Sequence, residues 1–103
     1  MIPIRTIDTT IRGDFTDSAR TWLAFIYHVS GLPGVTILGT LKHDFPGGGL
    51  TGLVLLGESH AAIHTWPERG EAWIELATCG DPAALQLFTR WATMTNQTPV
   101  LID

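Results

Sequence analysis

The sequence predicts an α+β fold, a two-layer sandwich with a mainly antiparallel sheet and two helices on one face. Three observations carry this. Two segments repeat apolar residues at three- and four-residue steps, several others are β-branched or alternate in polarity, and glycine or proline marks nearly every junction between them. The order is strand, helix, several strands, helix, strand, and a sheet flanked by two one-faced helices makes two layers. No linker or repeat divides the 103 residues, so residues 1–103 read as a single domain.

Residues 2–11 set Ile2, Ile4, Ile7 and Ile11 among threonines, a composition that suits a strand. Asp14, Thr16 or Asp17 then caps a helix whose apolar face is Ala19, Trp22, Leu23, Ile26 and Val29, stopped by Gly31 and Pro33. Residues 35–41 form a second strand, and Pro46-Gly47-Gly48-Gly49 a loop rather than a phosphate cradle, since no Gly-Lys-Ser/Thr follows. Residues 50–57 and 60–66 are two more strands, interrupted by Glu58-Ser59. After a turn at Pro67-Glu68-Arg69-Gly70, residues 72–78 return as a strand, bringing Cys79 back toward residues 59–64. Asp81-Pro82 opens a second helix with Ala84, Leu87, Phe88 and Trp91 on one face, and residues 99–102 form a short terminal strand.

Charged residues make up 16% of the chain and hydrophobic ones 45%, where about 25% charge is usual. A small domain leaves much of its surface uncovered, so this composition points to self-association. The net charge of −4 with six basic residues excludes a phosphate-backbone or anionic-lipid surface, and with it nucleic acid as a partner. No apolar run approaches the ~20 residues that cross a bilayer. One cysteine and an N-terminus without an apolar signal core point to a reducing cytoplasm.

Chemistry concentrates in residues 58–68. On a strand, His60, Ala62, His64 and Trp66 share one face, and Ser59, Ala61, Ile63 and Thr65 the other. Two readings stay open from the residues alone. A metal site would need His28, His43 or Cys79 beside His60 and His64, and lacks the glutamate of a metalloprotease helix. A nucleophile pair would draw on Ser59, His64 and Cys79, converging through the hairpin.

Glu58-Ser59-His60, Ile63-His64-Thr65-Trp66-Pro67-Glu68 and Thr78-Cys79-Gly80 together resemble the processing and active-site core of the prokaryotic S-adenosylmethionine decarboxylase proenzymes. The likeness runs ungapped over residues 43–80 and includes Phe45 and Gly49-Leu50-Thr51-Gly52. It implies self-cleavage between Glu58 and Ser59, leaving a pyruvoyl cofactor made from Ser59, with no metal expected. It further implies His64 as the base of processing, Thr51 where a processing serine is common, and Cys79 as proton donor to the product. Phe45 and Trp66 match positions near the adenine and Glu68 one near the ribose hydroxyls. The activity implied is decarboxylation of S-adenosylmethionine through a Schiff base, for polyamine synthesis, by a homodimer of cleaved protomers. The chain departs from the family at Thr10, where an acidic residue is common, at Arg69, Glu71 and Ala77 in place of aromatics, and at Ala61 or Ala62 in place of a hydroxyl. Those departures keep open a basic amino acid substrate, ornithine or arginine, or an unprocessed noncatalytic homologue.

Overall fold

The computed structural model describes residues 4–97. They form β1 (Arg5–Arg12), α1 (Ser18–Ser30), β2 (Ile37–Asp44), β3 (Leu50–Leu56), β4 (Ser59–Trp66), a 3-10 turn (Pro67–Arg69), β5 (Glu71–Thr78) and α2 (Pro82–Gln97). Ile2 of the expected first strand and the expected strand at 99–102 lie outside the described residues. The sheet order is β1-β5-β4-β3-β2, with every neighbouring pair antiparallel. Strands β2 to β5 form a meander of hairpins, while α1 carries the chain from β1 at one edge to β2 at the other.

Both helices cover one face of this sheet, giving the two-layer α+β sandwich. The Asp17 side chain accepts a hydrogen bond from the Arg20 N–H at 3.0 Å and starts α1. Asp81 accepts from the Ala83 N–H at 2.9 Å, with Pro82 as the first residue of α2. The buried face of α1 is Thr21, Trp22, Phe25 and Val29. This corrects the expected face: Leu23 is 66% exposed, because one residue beyond Trp22 the helix has turned about 100° and Phe25 holds the central position. On α2, Ala84, Phe88 and Ala92 are buried, while Leu87 of the expected face is 38% exposed. The helices meet where Phe25 packs edge-on to Phe88, with ring centroids 6.4 Å apart.

On the covered face, Gly52, Ile63, Ile74 and Thr9 form one cross-strand row. The Trp22 indole lies directly over Gly52, in the space a Cβ there would fill. The second strand begins at Ile37 rather than Val35, where pairing with Leu56 starts, and a register shift between Ile37 and Gly39 follows. Ser59, expected in the interruption between strands, is the first residue of β4.

His28 on α1 stacks on Trp91 of α2, centroids 4.4 Å apart and rings 19° from parallel. Burial lowers its pKa to about 4, and its Nε2 is enclosed without a hydrogen-bond partner.

Two outcomes are expected. Gly52→Ala must displace the Trp22 indole, so stability falls by about 2 kcal/mol, read as a lowered denaturant midpoint. His28 stays neutral in the fold, whereas the unfolded chain protonates near 6.5. Its stabilising contribution is therefore complete above pH 6.5 and is lost as pH falls toward 4. Thermal melts across that window should show a smaller decline for His28→Phe than for the native chain.

Candidate active site

The residues singled out from the sequence form two groups, one at each end of β4. The first surrounds the turn between β3 and β4. Leu56 pairs with Ser59, leaving Gly57 and Glu58 as a two-residue link. Glu58 has φ 58°, the left-handed region that costs a residue with a Cβ about 1 kcal/mol. The Gly57 N–H donates to the Thr36 carbonyl at 3.2 Å, tying the turn to the segment before β2. The Ser59 hydroxyl donates to Thr78 Oγ1 at 2.9 Å, across from it on β5. Cys79 Sγ lies 3.5 Å from the Glu58 carbonyl oxygen and 3.8 Å from Glu58 Oε2. One peptide bond, Glu58–Ser59, thus has a thiol at its carbonyl and an anchored hydroxyl on its following residue.

The second group occupies the other end of β4, on the face away from the helices. His43, Thr51, His64, Trp73 and Thr10 make one cross-strand row there. Thr51 Oγ1 and His64 Nδ1 share a hydrogen bond of 2.9 Å, and the His64 ring lies 5.4 Å from that of Trp73. A cleft of about 360 Å³ is lined by Phe45, Thr51, His64, Trp66 and Glu68, together with the glycine loop. Gly47 and Gly48, at φ 98° and 97°, let the loop close so that the Phe45 N–H donates to the Gly49 carbonyl at 2.8 Å. Phe45 is 49% exposed and Trp66 38%, so both rings keep open faces. The Arg69 guanidinium lies 6.0 Å from the centre of the Trp66 ring, within the range where that face attracts a cation.

The two groups do not meet within one chain. Ser59 and His64 are five residues apart on one strand, about 16 Å at 3.3 Å per residue, and their side chains point to opposite faces. The expected convergence of Ser59, His64 and Cys79 is therefore corrected: the β4–β5 hairpin returns Cys79 only to the Ser59 end. His60 and His64 do share a face, but His60 pairs with Glu75 at 2.9 Å. Among the described residues no group of three or more His, Cys, Asp or Glu side chains is arranged to hold a metal ion. The sequence alone gives no role to Thr78, quoted only beside Cys79, or to Trp73. Reflecting β4 through the Pro67–Arg69 turn sets both opposite their partners, which is the signal that could have found them.

A family model described as S-adenosylmethionine decarboxylase matches residues 15–95. An S-adenosylmethionine decarboxylase proenzyme of Prochlorococcus marinus is 39% identical over 90 aligned positions, covering 76% of this chain and 74% of that protein. A proenzyme of the same description from Parasynechococcus marenigrum is 54% identical over 48 residues, 47% of this chain; the match spans only 38% of that relative's length. The crystal structure of the adenosylmethionine decarboxylase from Aquifex aeolicus superposes with a TM-score of 0.74 at 26% identity, covering 91% of this chain and 79% of that one.

Proposed function

The chain belongs to the S-adenosylmethionine decarboxylase family, and we propose that it cleaves itself between Glu58 and Ser59 and then decarboxylates S-adenosylmethionine. The observation that carries this reading is the geometry of that one peptide bond: Cys79 Sγ 3.5 Å from the Glu58 carbonyl oxygen, and the Ser59 hydroxyl held by Thr78 at 2.9 Å.

The Ser59 oxygen adds to the Glu58 carbonyl carbon, and its proton passes to the Ser59 nitrogen. The C–N bond breaks, giving an ester to Glu58 and a free amine on residue 59. Loss of the Ser59 α-proton to a base expels Glu58 as a carboxylate. One water then enters and one ammonia leaves, so that residue 59 ends as a pyruvoyl group. The chain fits that group: Ser59 opens β4 at a turn, where a new N-terminus needs no rearrangement of the strand behind it. Once formed, the group supplies a conjugated carbonyl that accepts electrons as carbon dioxide departs. Cys79 returns a proton to the product carbon. Phe45 and Trp66 suit a sulfonium, a permanent cation that burial cannot neutralise, and Glu68 suits the ribose hydroxyls. A reducing cytoplasm suits a free thiol in this role.

His64 serves as the base only if it reaches Ser59 from a second copy. The open face of the sheet carries Leu41, Leu53 and Leu55, 71%, 46% and 58% exposed, with Leu41 directly opposite Leu53. Two copies packed through this face about a two-fold axis crossing the strands run β4 against β4 in reverse. The Ser59 end of each then lies by the His64 cleft of the other. A homodimer of cleaved protomers follows, each active site drawing on both.

Intact mass under denaturing conditions tests the processing step. The expected result is two fragments divided after Glu58, the second lighter by one ammonia than a serine-started chain. A whole chain after prolonged incubation overturns the reading. Carbon dioxide release from S-adenosylmethionine, ornithine and arginine then tests the substrate, and turnover of either amino acid without the first would reassign it. For the shared site, Ser59→Ala and His64→Ala chains should each stay whole alone, while co-expression yields cleaved His64→Ala chain. Failure of co-expression to do so, with the native protein cleaving normally, would overturn the two-copy site.

A further inference from the structure

We propose that Thr78 is the positioning residue of self-cleavage, its buried hydroxyl holding the Ser59 oxygen in the orientation from which it attacks Glu58; this rests on the processing step proposed above. Thr78 is 3% exposed at the end of β5. Its Oγ1 accepts two hydrogen bonds, from the Ser59 hydroxyl at 2.9 Å and from the Gly80 N–H at 3.0 Å. A hydroxyl oxygen has two lone pairs, and these bonds use both. Ser59, as donor in this pair, keeps both of its own lone pairs free, which is what a nucleophilic oxygen requires. A free serine side chain would divide its time among three rotamers, and the bond to Thr78 selects one.

Thr78 is itself held from two directions. As a β-branched residue it has a stiff first torsion, and the Gly80 N–H fixes the hydroxyl from the chain that follows. A Cβ on residue 80 would sit 3.3 Å from Thr78 Oγ1, closer than ordinary contact, so glycine there leaves the hydroxyl its place. The neutral hydroxyl of Thr78 takes no proton; it acts only through Ser59. Once cleavage has carried the Ser59 oxygen away on Glu58, this function is spent.

The test follows the cleaved fraction over time by intact mass in the native chain, Thr78→Val and Thr78→Ser. Valine keeps the shape and removes the acceptor, so cleavage should slow about tenfold or more. Serine restores the acceptor and should stay within about threefold of the native rate. Carbon dioxide release per cleaved chain should be unchanged in both, a split that a general packing defect would not give. Cleavage of Thr78→Val at the native rate overturns the proposal, as does Thr78→Ser as slow as valine, which would assign the effect to the methyl group. If circular dichroism finds Thr78→Val unfolded, Gly80→Ala at its exposed position carries the test: crowding of the hydroxyl should slow cleavage severalfold, and a native rate overturns the proposal. A native chain that never cleaves is a different result, since it removes the processing step itself and this role with it.

Discussion

Strand β4 runs between two turns, the two-residue link at Gly57 and Glu58 and the 3-10 turn at Pro67–Arg69, and its register against both neighbours follows from them. That register decides which side chains face each other. Thr51 falls opposite His64 on one side, and Trp73 opposite His64 on the other. A slip of one residue would send Ala61, Ile63 and Thr65 to the open face and put both histidines beneath the helices. The inner row would lose its apolar character, and with it the support for α1 and α2. Core packing and candidate chemistry therefore rest on the same pairing, and neither could change without the other.

The two faces of the sheet have different needs. Phe15, Phe25 and Phe88, all fully buried, fill the space between the helices and the inner face, with Gly52 making room for Trp22. Among the described residues nothing comparable covers the outer face, yet it carries three exposed leucines and a histidine–glutamate pair. Burying that leucine patch would recover apolar area worth roughly 25 cal/mol per Å². Charge on this face gathers toward β1 and β5, at Asp8, Arg12, Glu71 and Glu75, and leaves the leucine patch on β2 and β3 free of ions.

Most of the fold is legible in the sequence because its signals are local. Asp17 and Asp81 cap helices by side chain–backbone bonds within a few residues, and glycines and prolines stand at the turns. Even the Thr51–His64 contact is implicit once the turn is centred between Gly57 and Glu58. The face of α1 is less legible, since Leu23 and Phe25 are both apolar and only packing against Phe88 decides between them. The convergence of Ser59, His64 and Cys79 misled for a definite reason: nearness in sequence suggests nearness in space, but an extended strand separates residues by its full rise and alternates their faces. Thr78 read as the flank of a cysteine because its partner lies 19 residues away.

The topology also bears on what a cut after Glu58 would do. The first part of the chain would hold β1, α1, β2 and β3, and the second β4, β5 and α2. In the sheet, β5 and β4 stand side by side between β1 on one flank and β3 on the other. The second part is therefore clasped on both sides by strands of the first, through full-length ladders from Arg5 to Arg12 and from Thr51 to Leu56. The helices bind them again, because Phe25 of the first part packs on Phe88 and Trp91 of the second. Cutting the link relieves the left-handed conformation at Glu58 without opening a ladder or exposing the core. Self-cleavage at this link would need that arrangement, in which the bond to be cut contributes strain to the fold and the strands on either side of it supply the cohesion.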